Sequence, residues 1–132
     1  MTLSESREDY LENLLILETR SGGFVRQVDM ASRMGFSKAS ISKAMSSLSA
    51  EGYVEFRPRG LVRLSNGGRK IAERVYDRHC FFFKVLTNLG IPTEIAQRDA
   101  CRMEHAMSEE SYQALKRSCR ARWTSNKGHQ PK

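Results

Sequence analysis

The sequence predicts a mainly α-helical protein with one small β-hairpin, and three observations carry that prediction. Apolar residues recur at helical spacing through most of the chain. Two short helical patterns are separated only by Gly35-Phe36, and two short alternating runs flank Arg57-Pro58-Arg59-Gly60. At 132 residues and 39% hydrophobic content, the chain is sized for one compact unit or two very small ones. Neither half of such a chain buries much surface alone, so subunit pairing is an expected source of further burial.

From Ser4 to about Arg20, residues Tyr10, Leu11, Leu14, Leu15 and Leu17 follow a helical period, which Gly22-Gly23 ends. A second helix fits Val25 to Met34, with Val28, Ala31 and Met34 on one face and Gly35 as terminator. Ser37 is placed to cap a third, running to about Ala50, whose inner face carries Ile41, Ala44, Met45 and Leu48. After Gly52, Tyr53-Val54-Glu55-Phe56 alternates as a strand, Arg57-Pro58-Arg59-Gly60 supplies the turn, and Leu61-Val62-Arg63-Leu64 returns. Helix, Gly, helix and hairpin in this order have the proportions of a winged helix-turn-helix.

Asn66-Gly67-Gly68 reads as a break before a long helix from about Arg69 to Leu89. Its Ile71, Ala72, Val75, Tyr76, Val85, Leu86 and Leu89 make it too apolar for exposure, and Phe81-Phe82-Phe83 is expected in a core or subunit interface. Gly90-Ile91-Pro92 separates a helix from about Thr93 to Met107, and Ser108 opens a last one through about Ser118. A basic, flexible tail is expected over 119–132.

The net charge of +7 is uneven: 1–22 carry −3, 23–70 carry +6, 71–110 carry −2 and 111–132 carry +6. A basic block over the helix-turn-helix favours a polyanion, because cationic side chains gain from phosphate neutralisation and counterion release. No apolar run approaches the roughly 20 residues needed to span a bilayer, and the N-terminus lacks the blocks of a signal peptide, so a cytoplasmic protein without membrane partners is expected. Cys80, Cys101 and Cys119 are odd in number and widely spaced, which fits neither a disulfide framework nor a CxxC zinc site.

The first turn of the third helix reads Ser37-Lys38-Ala39-Ser40-Ile41-Ser42-Lys43. Ser37, Lys38 and Ser42 belong to this surface; Ser40 and Lys43 can reach phosphate or base edges, and Ala39 can meet a thymine methyl. Arg26 before the second helix, and Arg57, Arg59 and Arg63 in the wing, suit phosphate or minor-groove contacts. Each residue alone reads better as a solvated face. Their order and charge together favour double-stranded DNA.

A second constellation concerns metal. Asp9 and Glu12 share a face of the first helix; Cys101, Glu104 and His105 lie at i, i+3 and i+4 in a later helix; His79 projects from the long one. Mixed carboxylate, imidazole and thiolate donors suit a first-row divalent ion, with oxygen favouring Mn(II) or Fe(II) and Cys101 pulling toward softer-binding ions. Taken singly, His79 reads as a hydrogen-bonded histidine and Cys101 as a small buried hydrophobe. Spacing alone leaves a shared site open.

Glu8-Asp9-Tyr10-Leu11-Glu12, Gln27-Val28-Asp29-Met30-Ala31, Arg78-His79 and Asp99 through Ser108 together resemble the diphtheria toxin repressor family of iron- and manganese-dependent repressors, and within it the short manganese transport regulators. The similarity runs from about Ser6 to Leu115. It implies a homodimer that binds a palindromic operator when loaded with Mn(II) or Fe(II), one or two ions per subunit, and represses metal-uptake genes. It implies Asp9, Glu12, His79, Glu104 and His105 as ligands, with Cys101 standing where the manganese branch usually has glutamate and the iron branch cysteine. The implied organisation is a DNA-binding domain over 1–70, a helical metal-binding and dimerisation domain over 71–118, and the tail.

Phe83 replaces an acidic residue expected one turn after His79, Ala106 a histidine that often follows the Glu-His pair, and no SH3-like domain of the longer members is expected. Rival readings are a winged-helix regulator responding to an organic ligand or to thiol oxidation at Cys80 or Cys101, a protein-interaction module, and a metal hydrolase. The last lacks an evident substrate cleft and a separate base, so no enzyme is expected.

Overall fold

In the computed structural model, which describes the backbone of residues 4–125 and the side chains of 4–120, the local stop and start signals act as the sequence suggests. The Ser4 hydroxyl accepts from the Arg7 N–H at the head of α1 (Glu5–Ser21), which ends at Gly22 with φ 85°. Helix α2 (Gln27–Met34) ends in the same left-handed way at Gly35, φ 72°. The Ser37 hydroxyl then accepts from Ser40 N–H at 3.1 Å to open α3 (Lys38–Ala50), which buries Ile41, Met45 and Leu48.

Val25 leaves the expected second helix. Its N–H and C=O both pair with Val62, at 2.8 and 2.9 Å, in an isolated antiparallel bridge. An extended, β-branched Val25, 2% exposed, adds to the hairpin core and delays the helix to Gln27. The larger Met30, 0% exposed, takes the central inward position of α2, and Val28 turns outward at 41%.

The hairpin joins β1 (Val54–Arg57) and β2 (Leu61–Leu64) in the register Val54↔Leu64 to Arg57↔Leu61. A single 3-10 turn, Pro58–Gly60, closes it, with Arg59 at φ 67°. Val54, Val62 and Leu64 join Leu11, Leu14 and Met45 in the core of the first compact unit, Met1–Asp77. Full burial of side chains of this size stabilises by about 1.5–3 kcal/mol each. Glu18, also buried, accepts from the Leu64 N–H and from Arg69 Nη2, both at 2.5 Å, tying α1 to the end of the hairpin.

Asn66-Gly67-Gly68, expected as a break, is the first turn of α4 (Asn66–Asn88). The Ser65 hydroxyl accepts from Gly68 N–H at 3.1 Å and donates to the Gly52 carbonyl at 2.6 Å. A Cβ on Gly68 would overlap the Tyr53 carbonyl oxygen, so that glycine permits close approach and does not stop the helix.

The second compact unit, Arg78–Lys132, contains the rest of α4, then α5 (Thr93–Met103) and α6 (Glu109–Ser125). Phe81, Phe82, Ala100 and Tyr112 form its core, with the Phe81 and Tyr112 rings edge-on at 5.5 Å. Tyr76 and Leu89, counted on the apolar face of the long helix, are 40% and 74% exposed.

Helix α5 stops at Met103, short of the expected Met107, so Glu104 caps it and His105 lies in the following turn. The cause is Arg78. Its Nη1 donates to the carbonyls of Glu104 (3.2 Å) and Met107 (2.6 Å), its Nη2 pairs with Glu109 at 2.9 Å, and its guanidinium lies 4.8 Å over the Tyr112 ring. The carbonyl of the helix cap and that of Met107 after it are thereby satisfied without a further turn. Helix α6 continues past Ser118 to Ser125, because Arg120, Ala121 and Arg122 are good helix formers. Of the expected tail, residues 126–132 lie outside the described residues. Among the described residues no helix is long and apolar enough to cross a membrane.

Candidate metal centre

In the second unit three sequence-predicted ligands meet. His79 Nδ1 lies 2.8 Å from Glu104 Oε1 and 3.7 Å from Cys101 Sγ. Donor atoms of all three fall within 4.8 Å of one another. His105 approaches from the turn, its Nε2 3.2 Å from Glu104 Oε2, so the two oxygens of one carboxylate face two imidazoles. Glu104 is 1% exposed. A carboxylate so deeply buried needs a compensating positive charge.

The protein supplies one from His79. The Cys101 sulfur and the Glu104 carboxylate, with help from Gln97, hold its imidazole in the charged form against the opposing effect of burial, pushed up to about 11. The ring is held on both edges and one face: Nε2 is 2.6 Å from Gln97 Oε1, and the Phe83 ring lies nearly parallel at 6.4 Å and 5°. One nitrogen, one sulfur and one carboxylate oxygen within this spacing suit a first-row divalent cation.

In the first unit Asp9 and Glu12 sit one turn apart on α1 and offer oxygens within 4.8 Å of each other. Glu12 is 4% exposed. Neighbouring Glu8, also buried, pairs with Arg74 at 3.4 Å.

The residues expected to read DNA divide by their present engagements. Lys38, Ala39, Ser42 and Lys43 are exposed on α3. Ser37 and Ser40 are exposed but bonded to each other, the Ser37 hydroxyl donating to Ser40 Oγ at 3.0 Å. Arg26 is held in a two-point pair by Asp29, at 3.0 and 3.1 Å.

In the wing, Arg57 and Arg63 lie over the Phe24 ring at 5.2 and 5.1 Å, and Arg63 also pairs with Glu55 at 3.0 Å. Exposed Arg59 sits at the turn, which Gln27 steadies by donating to the Gly60 carbonyl at 2.8 Å. Sequence reasoning gave no role to Phe24 or Gln97, and it held Gln27 and Arg78 only as parts of segments resembling the family. Gln97 had a local signal, one helical turn before Cys101.

Two family models match successive parts of the chain. Residues 2–62 match the model of the iron dependent repressor N-terminal DNA binding domain, and residues 65–130 that of the iron dependent repressor metal binding and dimerisation domain. The transcriptional regulator MntR of Escherichia coli O6:H1 is 39% identical over 109 residues, 83% of this chain and 70% of that protein. Among solved structures, T. acidophilum IdeR is 26% identical with a TM-score of 0.67, covering 86% of this chain and 53% of that one. The apo form of the manganese-activated repressor ScaR is 25% identical with a TM-score of 0.68, covering 84% and 53%. The chain thus spans about half the length of these solved proteins.

Proposed function

The chain belongs to the iron-dependent repressor family, the diphtheria toxin repressor group it resembles in sequence, and from that premise we propose a homodimeric repressor that binds a palindromic operator when loaded with Mn(II) or Fe(II) and restrains metal-uptake genes. That it is a metal-dependent transcriptional regulator follows from the family. The observation that carries the finer reading is the convergence of His79, Cys101 and Glu104 in the part of the chain that matches the metal-binding domain.

The proposed ligands are Asp9, Glu12, His79, Cys101, Glu104 and His105, for one or two ions per subunit. Carboxylates favour manganese or ferrous iron, while Cys101 strengthens iron relative to manganese. A bound divalent cation supplies the charge that such a cluster of acids lacks. An ion that binds the DNA-competent state better than the idle one shifts the chain toward it, which is the differential affinity a metal switch requires. The proposed reading surface is α3 from Ser37 to Lys43, with Arg26, Arg57, Arg59 and Arg63 on phosphate or the minor groove. The proposed compartment is the cytoplasm.

The test is anaerobic fluorescence anisotropy on DNA from the gene's own upstream region, first with chelator, then at equal free activities of Mn(II) and Fe(II). Metal-driven binding supports the reading, and the two midpoints rank the ions. Tight binding in chelator sinks it and leaves a winged-helix regulator with an organic or thiol input. In the same assay Lys43→Ala is expected to weaken operator binding and lower the salt slope by about 1, with metal stoichiometry unchanged. A slope and affinity equal to wild type would remove Lys43 from the interface.

The charged state of His79 sets a pH dependence. Its raised pKa of about 11 means that the imidazole carries its proton throughout the neutral range, and a nitrogen must lose that proton to act as a ligand. Metal affinity is therefore expected to rise from about pH 6 to about pH 8, with proton release on binding. Calorimetric titration in buffers of different ionisation enthalpy measures this. A binding heat independent of buffer would contradict it.

A further inference from the structure

We infer that Gln97 is a positioning residue that fixes the His79 ring through Nε2 and so commits Nδ1 to the metal. The inference rests on the metal-binding reading above and goes beyond it, since Gln97 belongs to none of the proposed ligands.

The two nitrogens of His79 have different surroundings. Nδ1 faces Glu104 Oε1 and Cys101 Sγ, the two other donors of the cluster. Nε2 faces the side-chain carbonyl of Gln97 at 2.6 Å. An amide oxygen only accepts, so Nε2 is the nitrogen that keeps its hydrogen, and Nδ1 is left with the lone pair when the ring is neutral.

The placement follows from helix geometry. Gln97 and Cys101 are four apart on α5 and Glu104 is three further on, which puts all three along one stripe. On α4, Phe83 is four residues from His79 and lies nearly parallel to its ring, limiting rotation about the axis that would exchange the nitrogens. An outer hydrogen-bond acceptor of this kind raises the basicity of a ligating imidazole and holds its orientation, and losing it typically costs about 10–100-fold in metal affinity. With Nε2 occupied by Gln97, His79 serves one ion and does not bridge to a second.

The experiment titrates Mn(II) alone into full-length wild type, His79→Ala, Gln97→Leu and Gln97→Glu, following free Mn(II) by electron paramagnetic resonance. Thermal unfolding of each protein and 15N NMR of the imidazoles in the Zn(II)-loaded wild type complete it. Gln97 is exposed, so Gln97→Leu is expected to unfold at the wild-type temperature. Its Mn(II) affinity is expected to fall about 10–100-fold at unchanged stoichiometry. Gln97→Glu, which still accepts from Nε2–H and does so with a full charge, is expected to bind at least as tightly as wild type. In the NMR spectrum His79 Nε2 keeps its proton.

Wild type that takes up neither Mn(II) nor, in the same titration run anaerobically, Fe(II), or His79→Ala that binds like wild type, overturns the parent reading and this inference with it. If wild type binds and His79→Ala is weakened, three results overturn the inference alone: Gln97→Leu with wild-type affinity, Gln97→Leu that loses an equivalent of metal, or metal on Nε2 of His79.

Discussion

Replacing Glu104 by Gln is expected to abolish metal-dependent DNA retention while leaving the chain folded. The two carboxylate oxygens serve different imidazoles, Oε1 at 2.8 Å from His79 Nδ1 and Oε2 at 3.2 Å from His105 Nε2. The amide keeps the shape, but one oxygen becomes an NH₂ donor and the negative charge disappears. A proposed ligand is lost from two neighbouring nitrogens at once, so the fall in Mn(II) affinity is expected to exceed the about 100-fold upper range for losing an outer hydrogen-bond partner.

Folding responds far less. A carboxylate 1% exposed carries a large desolvation penalty, and a neutral isostere removes it together with the attraction of His79, so the unfolding temperature changes little. Direct Mn(II) titration, anisotropy on operator DNA and a thermal melt of the same preparation separate the two effects. Unchanged metal dependence would exclude Glu104 as a ligand. A collapsed melt would make its role structural.

What the sequence disclosed follows the range of the interactions involved. Ser37 caps α3 within three residues, and Gly22 and Gly35 end helices by their own left-handed conformation, so these boundaries were readable from neighbours alone. Val25 reads as helical from its neighbours alone, because its partner Val62 lies far along the chain. The early end of α5 is set by Arg78 on α4, again beyond any local window.

The site shows the same division. Helical spacing placed Cys101 beside Glu104, while the approach of His79 depends on how α4 packs on α5, which only the family resemblance anticipated. Gln97 carries no donor signal, because a side-chain amide is a poor ligand for a divalent ion. It lies on the same stripe one turn before Cys101, so helical spacing does place it beside the proposed ligands.

Adjacent glycines at the start of α4 give the second large effect, with opposite signs. Ala at Gly68 is expected to destabilise the first unit by about 3 kcal/mol or more, since the added carbon overlaps a backbone carbonyl that has no flexible end to move. The Tyr53 carbonyl also accepts from Ser65 N–H at 3.0 Å, so relief requires shifting α4 or opening the junction between strand and helix. For a unit of this size that is a fall of more than about 10 °C in Tm.

Ala at Gly67 meets only Ser65 Oγ at 3.9 Å and the Tyr53 ring at 4.0 Å, which is ordinary contact. There the reduced freedom of the unfolded chain is expected to stabilise by about 0.5–1 kcal/mol. Because β2 leads directly into this turn, Gly68→Ala also disturbs Arg63 and the Phe24 ring beneath it, and DNA binding is expected to weaken even at saturating metal. Melting curves of both variants decide the matter. Equal shifts would mean that the close approach of Gly68 to Tyr53 does not limit stability, whereas a divided pair would identify the seam between wing and α4 as the backbone contact that fixes where the long helix begins.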